Sequence, residues 1–313
     1  MYHMELNRLQ VVTGAFGYSG RHIAARLLES GARVRTLTNS TPDRDPFSGR
    51  VEVRPLDFGD HAALVESLRG AEVLYNTYWV RFNSAHFTFA EAVNNSLALF
   101  AAAQRAGVRR IVHVSIANPS LDSPLGYYRG KAQVEEAVKA SGLSYTILRP
   151  TVIFGAEDIL INNIAWFLRH FPVFGIPGDG RYGIRPIYVE DMAELLADAA
   201  ERETNATIDA VGPETFAFEE LVQLIARAIG ASARLMHLPA PMAYASTRAI
   251  GWFTGDVILT WEEYRGLMGN LLVTEGLPAG KTRLSEWLAA NGGSVGRQYA
   301  SELSRHYRKQ SGQ

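Results

Sequence analysis

Glycines at positions 14, 17 and 20 fall in the run Gly14-Ala15-Phe16-Gly17-Tyr18-Ser19-Gly20, directly after the apolar stretch Leu9-Gln10-Val11-Val12-Thr13. Where a strand turns into a helix, that spacing has a mechanical reading. Gly14 permits the tight turn, Gly17 lets backbone approach a pyrophosphate, and Gly20 lets the helix pack closely on the strand. The amides from Phe16 to Tyr18, at the start of the helix, then face the anion. An ordinary glycine-rich loop carries the same letters. The two readings differ in context, and this turn opens the first strand-helix unit of an alternating series, which favours a dinucleotide.

A second pattern, Tyr127-Tyr128-Arg129-Gly130-Lys131, sets a phenol and an amine four residues apart, on one face of a helix. A free tyrosine titrates at about pH 10, and an adjacent ammonium favours the phenolate, so the pair can act as general acid or base nearer neutral pH. Lys131 can also hold nicotinamide ribose hydroxyls. Partly exposed amphipathic helices show the same spacing without any chemistry. Its weight here comes from its place between the fifth and sixth expected strands.

The end of the second strand normally selects between NAD and NADP, because a carboxylate there bonds the ribose 2'-hydroxyl and repels a 2'-phosphate. This segment reads Thr36-Leu37-Thr38-Asn39-Ser40-Thr41-Pro42-Asp43-Arg44, with no carboxylate in the turn itself. Asn39, Ser40 and Thr41 are donors for a phosphate and Arg44 a cation for it; a solvated polar loop is the alternative. The preference predicted is NADP over NAD. After the third strand, the Asp57 carboxylate is a candidate acceptor for the adenine amino group, with Phe58 covering the ring; helix capping by the neighbouring Asp60 is the competing account.

The elements that must position these groups are legible as short β-branched runs alternating with helical patterns. Strands are expected at Leu9-Thr13, Arg33-Thr38, Val51-Pro55, Glu72-Asn76, Arg110-Ser115 and Ser144-Leu148, and helices at Tyr18-Ser30, His61-Leu68, Phe87-Ala106 and Tyr127-Ala140. Gly31, Gly70, Gly107 and Gly142 stand at the helix ends. The rhythm predicts an α/β fold, a Rossmann-type doubly wound parallel sheet over residues 1–155. A smaller, mostly helical substrate lobe is expected over 156–313, with segments near 185–211, at Arg185-Val189 and Thr207-Val211, returning to the first. The substrate pocket is then expected between the lobes, outside the carboxyl ends of the strands.

Composition narrows the partners. The 313 residues carry 31 basic and 32 acidic side chains, a net charge of -1 that offers little to a nucleic-acid backbone. Cysteine is absent, which removes thiolate and disulfide chemistry and suits a reducing compartment, with the cytoplasm as the default. No signal-peptide pattern opens the chain, and the apolar stretch from Ile159 to Phe174 is interrupted well short of bilayer length, so no transmembrane segment is expected. The eight histidines show no ligand spacing and no metal site is expected; no Gly-x-Ser-x-Gly element suggests a hydrolase. Trp166, Trp252, Trp261 and Trp287 read as core or pocket wall.

The ordered motifs from Thr13 to Gly20, Tyr127-x-x-x-Lys131, Leu148-Arg149-Pro150-Thr151-Val152-Ile153-Phe154-Gly155 and Arg185-Pro186-Ile187-Tyr188-Val189-Glu190-Asp191 resemble the extended and atypical short-chain dehydrogenase/reductases. Across nearly its whole length the chain is similar to bacterial relatives of the dehydrogenase-like accessory subunit of respiratory complex I. The resemblance implies a Rossmann lobe, NAD(P), Tyr127 as catalytic acid/base and Lys131 as its electrostatic partner. It also implies that Asn76, Thr77 and Tyr78 flank the cofactor, that Ser115 lies under it, and that Pro150 to Ile153, Val152 among them, border the nicotinamide. The sequence departs from the family pattern at Ala117, where many members carry an active-site serine or threonine, and Ser115, Ser120 or Ser123 is the candidate to polarise a carbonyl in its place.

These residues predict an NAD(P)-dependent oxidoreductase moving hydride between nicotinamide and a carbonyl or alcohol carbon of a small-molecule substrate. A sugar-nucleotide epimerase or dehydratase is an alternative, with Arg185 on a substrate phosphate and Arg181 as a further anion contact. A non-catalytic NADP(H)-binding sensor or assembly protein is another, and the loss of the hydroxyl at Ala117 favours it. Self-association or peripheral attachment to a larger complex is compatible with each. Calorimetric titration of the protein is expected to give tighter binding for NADPH than for NADH; the reverse order contradicts the reading of residues 39–44.

Overall fold

The computed structural model describes residues 8–39, 45–84 and 87–301. The first strand, β1 (Leu9–Thr13), is buried at every position, as a central parallel strand covered on both faces must be. It is followed by α1 (Tyr18–Glu29), β2 (Arg33–Leu37), β3 (Val51–Arg54), α2 (His61–Leu68) and β4 (Ala71–Asn76). Then come α3 (Phe89–Arg105), β5 (Arg110–Val114), α4 (Gly126–Ala140) and β6 (Ser144–Pro150). The next stretch holds β7 (Ile153–Phe154), α5 (Leu160–His170), β8 (Val173–Pro177), β9 (Gly183–Ile184), β10 (Ile187–Tyr188), α6 (Val189–Ala200) and β11 (Ala206–Ala210). The last comprises β12 (Phe216–Ala217), α7 (Phe218–Ile229), β13 (Arg234–Leu238), α8 (Ala240–Thr254), α9 (Trp261–Met268) and α10 (Leu284–Asn291).

Seven strands form one parallel sheet in the order β11-β6-β5-β4-β1-β2-β3. From β1 the connections diverge: α1 leads outward to β2, whereas α2 carries the chain from β3 back across to β4. Crossovers of one hand running in opposite directions place their helices on opposite faces of the sheet. Accordingly α1 packs on α6, and α2, α3 and α4 pack side by side. This is the doubly wound sheet expected from the sequence, and its topological switch point lies at the carboxyl ends of β1 and β4.

Local signals set the element ends. Asp60 caps α2 by accepting from Ala62 and Ala63, and Thr88 with Glu91 forms a capping box on α3. Gly31, Gly70, Gly107 and Gly142 all take positive φ, as anticipated. Gly20 faces a sharper demand. A Cβ there would collide with the Gly14 carbonyl, so only glycine lets α1 come this close to the turn.

The described residues divide into two compact units. The first comprises the chain up to Pro150 together with Val189–Ala210. Its core is built from Val11, Leu37, Leu74, Leu99, Ile111 and Ile147 with their neighbours. The returning segment is tied in by Arg110, which is fully buried. Its guanidinium donates to the carbonyls of Ala199 (2.9 Å), Tyr145 (3.0 Å) and Thr204 (2.9 Å) and to the hydroxyls of Ser144 and Thr146. Carbonyl and hydroxyl oxygens gathered around the guanidinium are what make a buried cation without a carboxylate tolerable.

The second unit comprises Thr151–Tyr188 and the chain from Val211 onward. Three short strand pairs, β7 with β10, β9 with β12 and β8 with β13, accompany its helices. Its core gathers Phe154, Ile161, Ile164, Leu221, Ile225 and Leu288. The buried Asp158 accepts from the Ile161 amide (2.6 Å) and the Gly155 amide at the start of α5, and desolvation pushes its carboxyl up to about 7 despite those bonds. One expectation is corrected here. The segment 185–189 does not return to the large sheet; its strand shortens to β10 and pairs with β7, while β11 alone makes the return, on β6.

Gly20→Ala is expected to destabilise the protein by about 3 kcal/mol in urea denaturation, because the added methyl meets backbone that cannot move aside. A loss smaller than about 0.5 kcal/mol contradicts the close approach of α1 to Gly14.

Candidate functional site

The glycine turn is held from two sides. Gly14 adopts φ +67° and donates to the Leu37 carbonyl at the end of β2 (3.0 Å), while Gly17 donates to the Gly14 carbonyl (2.9 Å). The Ala15 amide is taken by the Thr36 hydroxyl (2.9 Å), so this amide is committed to shaping the turn. No side chain caps α1, whose N-cap is Gly17. The first turn of α1 therefore starts at the switch point without a side-chain cap, the kind of helix start that suits a phosphate. Phe16 lies 6.1 Å from the buried Phe47 ring, and the Tyr18 ring meets His22 edge-on at 5.7 Å.

The neighbouring strand end is locked to the same turn. The Thr13 hydroxyl accepts from the amides of Thr77 (2.8 Å) and Tyr78 (3.1 Å), and the Thr77 hydroxyl donates to the Thr13 carbonyl. The Asn76 carbonyl oxygen also accepts from the Tyr78 amide (3.1 Å), and its amide nitrogen meets His113 Nδ1 on β5 at 3.1 Å. His113 is wholly buried, and desolvation, helped by the nearby Lys131 charge, holds its imidazole well below the usual range. Tyr78 accepts from Asn95 through its hydroxyl (2.9 Å), which burial pushes up, and its ring lies 4.8 Å from Phe58. The segment expected to flank a cofactor is thus immobilised against β1.

On the β2–β3 side the expectations need revision. Asn39 does not stand open for a phosphate: its side chain bonds both backbone groups of Leu56, accepting from the amide (3.0 Å) and donating to the carbonyl (2.7 Å). One amide hydrogen is left for a ligand. Ser40, Thr41 and Arg44 lie outside the described residues. Asp57 accepts from the Gly59 amide (2.8 Å) in a local turn, while Asp60 does the capping of α2.

Along α4, Tyr127 and Lys131 share the expected face. Tyr127 is half-buried and meets Trp79 edge-on at 5.9 Å and Phe89 edge-on at 5.8 Å. Lys131 is buried, donates to the Val114 carbonyl at the end of β5 (3.0 Å), and has Nζ 4.7 Å from the Trp79 ring. Desolvation brings its amine down to about 7, with Glu135 pulling the other way. The ordinary permanent ammonium assumed from spacing alone is therefore replaced by a group that titrates near neutral pH. Glu135 itself receives a two-pronged hydrogen bond from Arg149 (2.9 and 2.5 Å). Beside them the Ser115 hydroxyl is buried without a hydrogen-bond partner among the described residues, and Ala117 is fully buried, its amide on the Pro150 carbonyl (2.8 Å).

Further expected residues lie in the second unit, among them Val152, Arg181 and Arg185. Val152 packs against its core. Arg181 is exposed in a turn where its amide bonds Asp179. Of the anion-binding and structural roles open to Arg185, its bonds are structural: it is buried and donates to the carbonyls of Gly212 (2.9 Å), Thr274 (2.9 Å) and Gly276 (2.6 Å). A cavity of about 620 Å³ in this unit, bordered by Arg169, His170 and Arg297, includes none of the expected site residues. Among the described residues no cluster of three or more histidines and carboxylates is disposed to hold a metal, and no helix is long and apolar enough to cross a membrane.

Sequence reasoning missed Thr13, Thr36 and above all Trp79. A signal for Trp79 was present: Gly130 sits inside a helix, where glycine costs about 1 kcal/mol relative to alanine, and such a residue commonly marks a large group packed close. A Cβ at Gly130 would lie 2.9 Å from Trp79 Cη2.

With this geometry in hand, comparison with known proteins is informative. A family model described as NAD(P)H-binding matches residues 14–159. Mitochondrial NADH dehydrogenase (ubiquinone) 1 alpha subcomplex subunit 9 of Arabidopsis thaliana is 28% identical over 246 residues, 75% of this chain but 61% of the plant protein, so the match spans less than two thirds of that relative. The ceramide reductase of Caulobacter vibrioides is 30% identical over 238 residues, covering 74% of this chain and 73% of that protein. Among solved structures, the NADPH-dependent quinone oxidoreductase of Escherichia coli complexed with NADPH superposes with a TM-score of 0.70 at 22% identity, over 90% of this chain and 99% of that one, a likeness of fold. The glycine turn at the switch point and the reductase relative agree: the chain belongs to the NAD(P)-binding short-chain dehydrogenase/reductases.

Proposed function

We propose that the protein is an NAD(P)-dependent reductase or dehydrogenase acting between a carbonyl and an alcohol carbon of a small molecule, with NADP(H) preferred. The observation that carries this reading is the continuous linkage from the glycine turn through Thr13 to Thr77 and Tyr78, and then through Trp79 to Lys131 and Tyr127. The phosphate seat and the acid/base pair belong to one packed body. Gly14 to Tyr18 would hold the pyrophosphate, Asn39 with Ser40 and Arg44 the adenosine ribose phosphate, and Asp57 and Phe58 the adenine. Asn76 to Tyr78, Ser115 and Pro150 would border the nicotinamide end. A bound nicotinamide supplies or accepts the hydride.

The residues of this chain do the rest. The Tyr127 hydroxyl delivers a proton to the carbonyl oxygen during reduction and takes it back in oxidation. Lys131, when charged, stabilises the phenolate left behind and donates to ribose hydroxyls. Because its amine titrates near 7, the charge that aids Tyr127 is present below that pH and is lost above it unless a bound anion raises its basicity. The orphaned Ser115 hydroxyl is a further donor at the same strand end.

Ala117 supports a second reading, a protein that binds the dinucleotide without turnover and serves as a stabilising component of a larger assembly, as the names of the complex I relatives suggest. The absence of cysteine suits the cytoplasm in either case. Oxidation of NADPH with a panel of aldehydes, ketones and quinones separates the two. Tyr127→Phe is expected to lower turnover at least about 100-fold while NADPH affinity stays within a few-fold of the parent. Equal rates for parent and variant on every compound favour the binding protein.

Stability reports on Lys131 independently of any substrate. Its folded value lies below the ordinary 10.5, so between about 7 and 10.5 the unfolded chain holds a proton that the folded chain has released. The contribution of this group to stability therefore rises with pH across that window and is level below it. Urea midpoints are expected to show Lys131→Met more stable than the parent at pH 6.5 to 7, with the gap closing as pH rises toward 10. A gap that does not change with pH contradicts the buried amine.

A further inference from the structure

We propose that Trp79 is a positioning residue whose indole fixes Lys131 and Tyr127 against the end of β4. The inference rests on the reading of that pair given above. Trp79 follows directly on Asn76-Thr77-Tyr78, the segment hooked onto Thr13, so it is anchored to the same strand ends as the glycine turn. From there its ring faces Lys131 Nζ at 4.7 Å and meets Tyr127 edge-on, with ring planes at 90°. Phe89 backs it in parallel, at 6.1 Å and 5°, and itself meets Tyr127 at 87°. Lys131 thus has two contacts of different kinds, the Val114 carbonyl and the indole face, and Tyr127 stands at right angles to two rings.

Two costs show that this is more than space filling. The ring occupies ground where α4 has Gly130, a poor helix former, because a methyl there would stand 2.9 Å from the indole. The indole N–H is buried with no acceptor among the described residues, a penalty that leucine or phenylalanine at this position would avoid. Tryptophan presents the strongest π-face to a cation, and the cation here is desolvated, where that attraction is largest. The other titratable groups around the amine are Glu135 one helical turn on, held by Arg149 of β6, His113 on β5, and Tyr127 of the same helix. Trp79 and Phe89 supply uncharged walls from the loop after β4 and from α3.

The test is the pH dependence of NADPH affinity for the full chain, followed by fluorescence from about pH 5.5 to 9. The parent is expected to bind more weakly as pH rises through the range in which Lys131 loses its proton, and Lys131→Met to abolish that dependence. Trp79→Leu keeps apolar bulk but removes the π-face, and should move the inflection down by about one pH unit. Trp79→Phe, which restores a ring, should return it most of the way. Gly130→Ala pushes the indole aside while favouring the helix, so it should fold and shift the inflection in the same direction as Trp79→Leu. If Lys131→Met removes the dependence but Trp79→Leu and Gly130→Ala both keep the parental inflection, Trp79 does not position the pair. A parent that binds neither NADPH nor NADH at any pH sinks the dinucleotide reading, and this inference with it.

Discussion

The close approach of α1 to the carbonyl of Gly14 governs how the first unit is put together. A helix can bring its uncapped amides to a phosphate only if its first turn stands directly on the end of the strand before it, and a side chain at Gly20 would lift it away. That contact works because β1 is central and covered on both faces, so the turn emerges where the connections to β2 and β4 part. Thr36 and Leu37 hold the turn from the β2 side, and Thr77 and Tyr78 are held by Thr13 on the β4 side. The seat is rigid because both neighbouring strands are bonded to it.

Two buried cations of the same unit show how structural and chemical roles differ. Arg110 directs its guanidinium to three carbonyls and two hydroxyls of its own unit, a structural role. Lys131 has the Val114 carbonyl and a ring face, with a Ser115 hydroxyl and an indole N–H that lack partners among the described residues. Unmet buried polar groups cost about 1–3 kcal/mol each, so their presence after the neighbouring strands β4 and β5 marks a place where stability has been given up. The depressed amine is the electrostatic expression of the same arrangement, since burial without a direct carboxylate partner disfavours the charged form.

Arg185 teaches the converse. Among the sequence motifs it looked like an anion receptor, yet its guanidinium binds carbonyls of Gly212, Thr274 and Gly276 and so knits distant parts of the second unit together. Asn39 is a milder case, where a side chain expected to meet a cofactor phosphate instead continues the pairing of β2 with the chain leaving β3. Residue type identifies what a group can bond, but competition among partners decides what it does bond.

By itself the sequence determined the alternation of strands and helices, the helix ends, the glycine turn and the shared face of Tyr127 and Lys131. All of these follow from spacing along the chain: side-chain periods of two and 3.6 residues, and the backbone freedom of glycine, act between near neighbours. It also carried the family motifs, in order and at compatible distances. Tertiary structure alone decided that Trp79 covers Lys131, that Thr13 clamps the residues after β4, that β11 returns to β6 while β10 does not, and that the carbonyls around Arg185 converge. Each of these joins residues far apart in the chain, and their meeting depends on strand order and burial, which no local pattern encodes. The altered basicity of Lys131 belongs with them, because desolvation is a property of the whole packed surroundings rather than of the residue.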